Sequence, residues 1–291
     1  SEASVAEPDG ICGGVLMSND YANVAGLRLA SRPDRSLRHA LLRHSAIGFG
    51  ISLAILKPGV AFAQESCGPA SATVTCTPGS YAFVGYNAVT TDTTVVLEPG
   101  VVLTEGINVT NASGVAGVDV TVDATNATVN RTLSTPGFLA SGIRVGTVIG
   151  LNGPAAATAG TITIHAGDVD VSADSGKGIL AFGNDITITA NSVHARGASD
   201  PTPGATQSHA VIADSVGTGG DIYINVGTTS AAGNNASAVI AYSNHAGTAG
   251  AVTVISQDAF TSGTNALGVA GVSHLGAVSV TSGITVTTGN L

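Results

Sequence analysis

Residues Gly250–Ser273 read GAVTVISQDAFTSGTNALGVAGVS. Val252 and Val254 alternate with Thr253, the two-residue period of a half-buried strand, and β-branched side chains suit a pleated surface. The same strand occurs as Gly160-Thr161-Ile162-Thr163-Ile164, Asn184-Asp185-Ile186-Thr187-Ile188, Gly220-Asp221-Ile222-Tyr223-Ile224 and Gly276-Ala277-Val278-Ser279-Val280. A second strand recurs as Gly178–Phe182, Ala210–Asp214, Ala238–Tyr242 and Gly268–Val272. Its offset from the first is the same in three copies: Ile162 to Ile179, Ile222 to Val239 and Val252 to Val269. The fourth, Ile186 to Val211, is longer. That interval contains Asp200-Pro201-Thr202-Pro203-Gly204, which is turn chemistry and reads as a surface loop.

The first strands, led by Ile162, Ile186, Ile222, Val252 and Val278, recur at unequal intervals. Their mean spacing is about 29 residues, and a β-rich period of that size points to a solenoid. No tight Asn-Gly hairpin signature joins the strands. Each strand is therefore expected to pair in parallel with its counterpart in the next coil, giving a β-helix. Ile179, Val211, Val239 and Val269 should stack as one apolar column, with Ala181, Ala213, Ala241 and Gly271 as a tighter one. Phe182, Asp214, Tyr242 and Val272 should point outward. A third strand per coil is expected at Val169-Asp170-Val171 and Val193-His194-Ala195, each starting seven residues after the leading Ile, and more weakly around Thr229 and Ala259. At ~4.8 Å per coil, roughly eight coils make a rod of about 40 Å.

Composition supports a narrow interior. The 291 residues include 39 Gly, 4% aromatics and no Trp, but 44% hydrophobic residues, so the chain can fill a thin core without large rings. Charged residues are only 10%, which excludes charge-rich disorder and coiled coils. Residues 64–291 carry Arg131, Arg144, Lys177 and Arg196 against 14 acids, a net of −10. Four cations cannot neutralise a run of phosphates, so nucleic acid and anionic membrane surfaces are not expected partners.

The N-terminal region reads as an export leader. Arg28, Arg32, Arg35, Arg38 and Arg43 precede an 11-residue apolar run, Ala46–Leu56, and then Ala61-Phe62-Ala63. That is the order of a secretory signal peptide, with cleavage expected between Ala63 and Gln64. The run is too short to span a bilayer, which needs ~20 residues. The only Met is Met17, which is read as the start, giving a 47-residue leader with Cys12 outside the mature chain. The expected organisation is 1–63 leader, 64–141 N-terminal cap with irregular first coils, and 142–291 regular repeats that stop in mid-unit, so that the natural protein is expected to continue. Export places Cys67 and Cys76 in an oxidising compartment. A disulfide is expected between them, because two Cys with no nearby His make a poor metal site.

With leader and repeats together, the sequence resembles the N-terminal part of an autotransporter passenger, of the Gly/Thr/Val/Ala-rich alphaproteobacterial type. The likeness covers Gly160–Leu291 well and Cys67–Ser141 loosely. It implies a right-handed parallel β-helix, displayed on the surface of a Gram-negative cell and secreted through an outer-membrane β-barrel translocator. The repeats contain no set of ~10-residue amphipathic strands with aromatic girdles that would form such a barrel. Adhesion or surface presentation is the implied role.

No catalytic motif stands out. There is no Gly-Asp-Ser-Gly nucleophile setting, and Ser208-His209 and Ser273-His274 read as turn residues. Asp168 with Asp170, and Asp119 with Asp123, should each leave one strand face, where paired carboxylates can act as acid and base or bind Ca²⁺. Arg144 and Lys177 are the basic residues near them in sequence. These pairs carry the rival reading of an exported polysaccharide lyase or hydrolase, although solvated strand-face acids account for them more simply. Gly217–Asp221 stands alone, without the tandem copies of a Ca²⁺-binding nonapeptide. His165, His194, His209, His245 and His274 fall at different offsets and form no metal ladder. The Asn-x-Ser/Thr triplets at Asn108, Asn111, Asn126, Asn130 and Asn235 read as polar turn and strand residues. No cofactor is expected. A two-partner-secretion haemagglutinin-like exoprotein is a third reading, but the early Asn-Pro-Asn-type motif of that class is missing.

Overall fold

The structure is a computed structural model. It describes residues 67–289 apart from 113–114, 116, 134–139, 147–159, 198–206, 216–219 and 244–249. The leader, with Ala63 and Gln64, lies outside the described residues.

The described residues form seventeen strands. Six short ones come first: β1 (Thr73–Cys76), β2 (Gly79–Tyr81), β3 (Val84–Val89), β4 (Thr93–Leu97), β5 (Val101–Leu103) and β6 (Ile107–Asn111). Long and short strands then alternate: β7 (Val120–Arg131), β8 (Ser141–Val145), β9 (Ile162–Val171), β10 (Lys177–Gly183), β11 (Ile186–Ala195) and β12 (His209–Ser215). The series continues with β13 (Ile222–Ala232), β14 (Ser237–Ser243), β15 (Val252–Ser262), β16 (Leu267–Ser273) and β17 (Val278–Thr288). Two parallel sheets result. One runs β1-β4-β7-β9-β11-β13-β15-β17, with β2 and β5 beside it; the other runs β3-β6-β8-β10-β12-β14-β16. The molecule is all-β and built as a parallel solenoid.

The two short-strand columns stack as their spacing implies. Ile179 pairs with Val211, Val211 with Val239 and Val239 with Val269, while Ala181, Ala213, Ala241 and Gly271 form the neighbouring column. On the long-strand sheet Val95, Val122, Ile164, Ile188, Ile224 and Val254 stack in one line, and all six are fully buried. Burying each such side chain is worth about 1.5–3 kcal/mol. In β17, Val280 continues this line and Val278 the neighbouring Ile162-Ile186-Ile222-Val252 column, but they are 44% and 46% exposed.

Two expectations change. The third strand is separate only in the first two coils, as β2 and β5; from β7 onward it merges with the first into one long strand. The seven-residue offset is odd, so a strict alternation would turn the second half inside out. One extra residue corrects the parity: Ala166 pairs with Ala190 and Asp168 with Ser192, while Gly167 and Asn191 drop out of register. The even-numbered Ile162 and Ile164 and the odd-numbered Val169 and Val171 thus all reach the core. The other correction concerns the outward side of the short strands. Leu180 and Phe182 are buried and pack with Ile212 in a small cluster separate from the main core, so these positions are not simply solvated.

The corners use polar side chains. Asp92, Asp119, Asp185 and Asp221 each stand one residue ahead of a strand of the long-strand sheet. Each carboxylate accepts a backbone N–H one coil on, from Asp119 (3.0 Å), Thr161 (2.7 Å), Asp221 (2.9 Å) and Ala251 (2.7 Å) respectively. At the end of the short strands Ser215, Ser243 and Ser273 donate to the carbonyls of Asn184, Gly220 and Gly250. Asn235 and Asn265 turn the remaining corner with φ of 54° and 56°, the left-handed region that Asn tolerates better than most residues. At the N-terminal edge a disulfide joins Cys67 and Cys76.

Ile188→Ala should cost about 2–5 kcal/mol, since a fully buried column loses a side chain between two neighbours. Thr187→Ala, on the outward side of the same strand, should change stability by no more than about 0.5 kcal/mol. Guanidinium unfolding of both variants, followed by circular dichroism, checks the contrast.

Candidate functional site

The outward face of the long-strand sheet concentrates the polar chemistry. In-register side chains on adjacent coils lie ~4.8 Å apart, close enough for hydrogen bonds along the rod. Asp168 and Asp170 alternate with the buried Val169 and Val171, so both leave this face as their spacing implies. The next coil meets them there. Ser192 Oγ donates to Asp168 at 2.6 Å, and Arg196 Nη2 donates to Asp170 at 2.9 Å. His194 Nδ1 is 2.7 Å from Ser230 Oγ, and His165 Nδ1 is 2.6 Å from Thr189 Oγ1. Burial, and then the Arg196 charge, pull the His194 pKa below its ordinary value against the opposing pull of Asp170 and Asp168. Both effects favour the neutral imidazole.

The cation that meets the acids is Arg196, not Arg144 or Lys177. Those two belong to the short-strand sheet, where Arg144 pairs with Asn108 and Leu180, and Lys177 with Ser141 and His209. Sequence proximity missed Arg196 because the contact runs to the next coil, 26 residues on. The ion pair is open to solvent, with side chains 60% and 42% exposed, so it contributes about 0–1 kcal/mol. Asp119 and Asp123 are not brought together as a pair. Asp119 is engaged at the corner, and Asp123 accepts the backbone N–H and the hydroxyl of Thr125.

The two Ser-His dipeptides have structural contacts. Ser208 Oγ donates to Gly197 O, and Ser273 Oγ donates to Gly250 O while accepting the Gly276 N–H. Beside Ser208, His209 is 8% exposed, and its Nδ1 has no hydrogen-bond partner. Lys177 is its register neighbour, is 1% exposed, and donates from Nζ to Ser175 O at 2.7 Å. Burial lowers the Lys177 pKa to about 8. Burial, and then the Lys177 charge, lower that of His209 to about 4. Nothing in the linear sequence marks this pair, since the register that joins them runs from one coil to the next.

Along the bend of the long strands runs a groove of about 470 Å³, lined by Thr125, Thr189, Asn191, Asn225, Gly227 and Gln257 among others. No charged side chain lines it. Among the described residues no group of three or more His, Cys, Asp or Glu side chains is placed to hold a metal ion, and no helix is long and apolar enough to cross a membrane. No family model, curated protein or solved structure matches the chain.

The buried histidine makes stability depend on acid. Its folded pKa lies below that of the unfolded chain, so unfolding takes up a proton in the window between them. The contribution is fully present above pH 6.5 and is lost as pH falls from 6.5 toward 4, by on the order of 3 kcal/mol. Lys177 has the same sign at higher pH, with stability gained from about 8 up to its ordinary value of 10.5. Thermal melts should therefore fall steeply between pH 6.5 and 4 and flatten in His209→Gln. An equal acid slope in the variant would remove His209 as the cause.

Proposed function

We propose that the chain is a non-enzymatic, surface-displayed solenoid, the passenger of an autotransporter-type protein, and that it acts in adhesion or surface presentation. In this reading the helix is right-handed, with coils of about 29 residues, a length typical of solenoid repeats. The leader is cut between Ala63 and Gln64, and an outer-membrane β-barrel translocator carries the rod to the exterior of a Gram-negative cell. Nucleic acid is not a partner. The observation that carries the proposal is the outward face of the long-strand sheet, where side chains of successive coils bond to one another along the rod. Such a face is extended, rigid and repeated, which suits many weak contacts acting together.

The rival, a polysaccharide lyase or hydrolase, draws on Asp168 and Asp170. The neighbours of these acids favour adhesion instead, since Ser192 and Arg196 already occupy the two carboxylates. Produced with its leader in a Gram-negative host, the exported chain should begin at Gln64 on N-terminal sequencing. Beads coated with it should be retained on cell or glycan surfaces above uncoated beads, with no reducing ends released from pectin-like polymers. Reducing-end release that disappears in Asp168→Asn would replace adhesion with the enzymatic reading.

A further inference from the structure

We infer that the groove along the bend is a binding site for a neutral, hydroxyl-rich polysaccharide lying across the coils; this rests on the display reading and names its ligand class. The groove crosses successive long strands, from Thr125 on β7 to Gln257 on β15. Three planar amides, Asn191, Asn225 and Gln257, reach into it. Each amide offers two donors and an acceptor. Among the described residues none of the three is hydrogen-bonded to another part of the protein through its side chain. Several asparagines elsewhere on the rod are engaged: Asn108 donates to Asn87, Asn130 to Leu103 O, and Asn234 accepts the Thr264 N–H. Exposed amides without a side-chain bond occur elsewhere too, at Asn126, Asn235 and Asn265; what sets these three apart is that one groove gathers them.

The spacing suits a chain of sugar rings. Asn191 and Gln257 occupy the out-of-register bend position two coils apart, about 9.6 Å along the rod, a span that a disaccharide bridges. Gly227 holds that position between them. A Cβ on Gly227 would run into the backbone carbonyl of Asn191, so packing of the coils keeps the slot between the amides open. Tyr223, on the same strand as Asn225 and two residues before it, is 38% exposed. Outside the groove lining itself but on the same outward face, its ring offers an exposed apolar surface of the kind the C–H face of a sugar requires.

Charge selects the class of polymer. Uncharged side chains line the groove, while Asp123 stands, through His165, in the same register column as Thr189 and Asn225, and Asp168 and Asp258 stand in the adjoining outward column. An acidic glycan would meet repulsion there and find no basic clamp. A protein partner would want an apolar anchor pocket, and the groove offers only Ala166 and Ala190 for that.

Isothermal titration calorimetry of the full chain with laminarin, dextran and mannan, and with polygalacturonate as the acidic probe, tests the inference. At least one neutral polymer should bind. Asn191→Ala combined with Gln257→Ala should weaken that binding at least tenfold with an unchanged circular dichroism spectrum; Tyr223→Ala should also weaken it, and Asn87→Ala, on β3 of the short-strand sheet, should leave it intact. Preference for polygalacturonate, or equal binding by the double variant, overturns the assignment. So does self-association of the chain that the double variant abolishes, which would make a second copy the occupant. If coated beads adhere while no neutral polymer binds, the groove fails and the display reading stands; if the beads do not adhere, the display reading itself fails.

Discussion

Parallel hydrogen bonding between successive coils fixes everything else in this molecule. Once Ile162 is paired with Ile186, and Ile186 with Ile222, each inward side chain must share its level with a neighbour about 4.8 Å above and below. Aliphatic groups stack at that spacing without a gap, and among the described residues Tyr86 is the one aromatic ring buried in the main core. The scarcity of aromatics and the Ala181-Ala213-Ala241-Gly271 column both follow. Stability in such a rod is nearly a sum over adjacent coils, so a defect in one column is felt first by its immediate neighbours.

The corners explain where four of the acids went. A turn between strands leaves backbone N–H groups without a sheet partner, and an unpaired buried donor is costly. Asp92, Asp119, Asp185 and Asp221 answer that need with carboxylates held one coil from the N–H they accept. Ser215, Ser243 and Ser273 do the same for carbonyls. A negative net charge in this chain is therefore partly a by-product of how it closes its coils, rather than a sign of an acidic active site.

Legibility in the sequence followed periodicity. The Ile179-Val211-Val239-Val269 column was readable because one offset repeats, from Ile162 to Ile179, from Ile222 to Val239 and from Val252 to Val269. The bend was not, because the odd spacing between Ile162 and Val169 looks like a second strand until the extra residue at Gly167 is seen to restore parity. Contacts between coils were also hidden. Arg196 meets Asp170, and His209 meets Lys177, only through a register that loops of unequal length shift from coil to coil. The candidate site was half legible for that reason: Asp168 and Asp170 could be placed on one face, but not the residues that engage them.

The same register separates what the rod needs from what it can vary. Inward positions are bound to their neighbours by volume, and corner positions by backbone hydrogen bonds. Outward positions on the long strands answer to neither, and there Thr163, Thr187, Tyr223, Thr253 and Ser279 succeed one another in a single column. Within that tolerant face the bend is the exception. Gly167, Gly227 and Gly283 alternate there with Asn191 and Gln257, and a Cβ at each of the three glycines would meet a backbone carbonyl of the coil before. Close packing of the coils thus demands the glycines but not the amides between them. An amide with no partner in its own chain contributes nothing to that packing and stays open to solvent, which is the surface the proposed glycan contact would use.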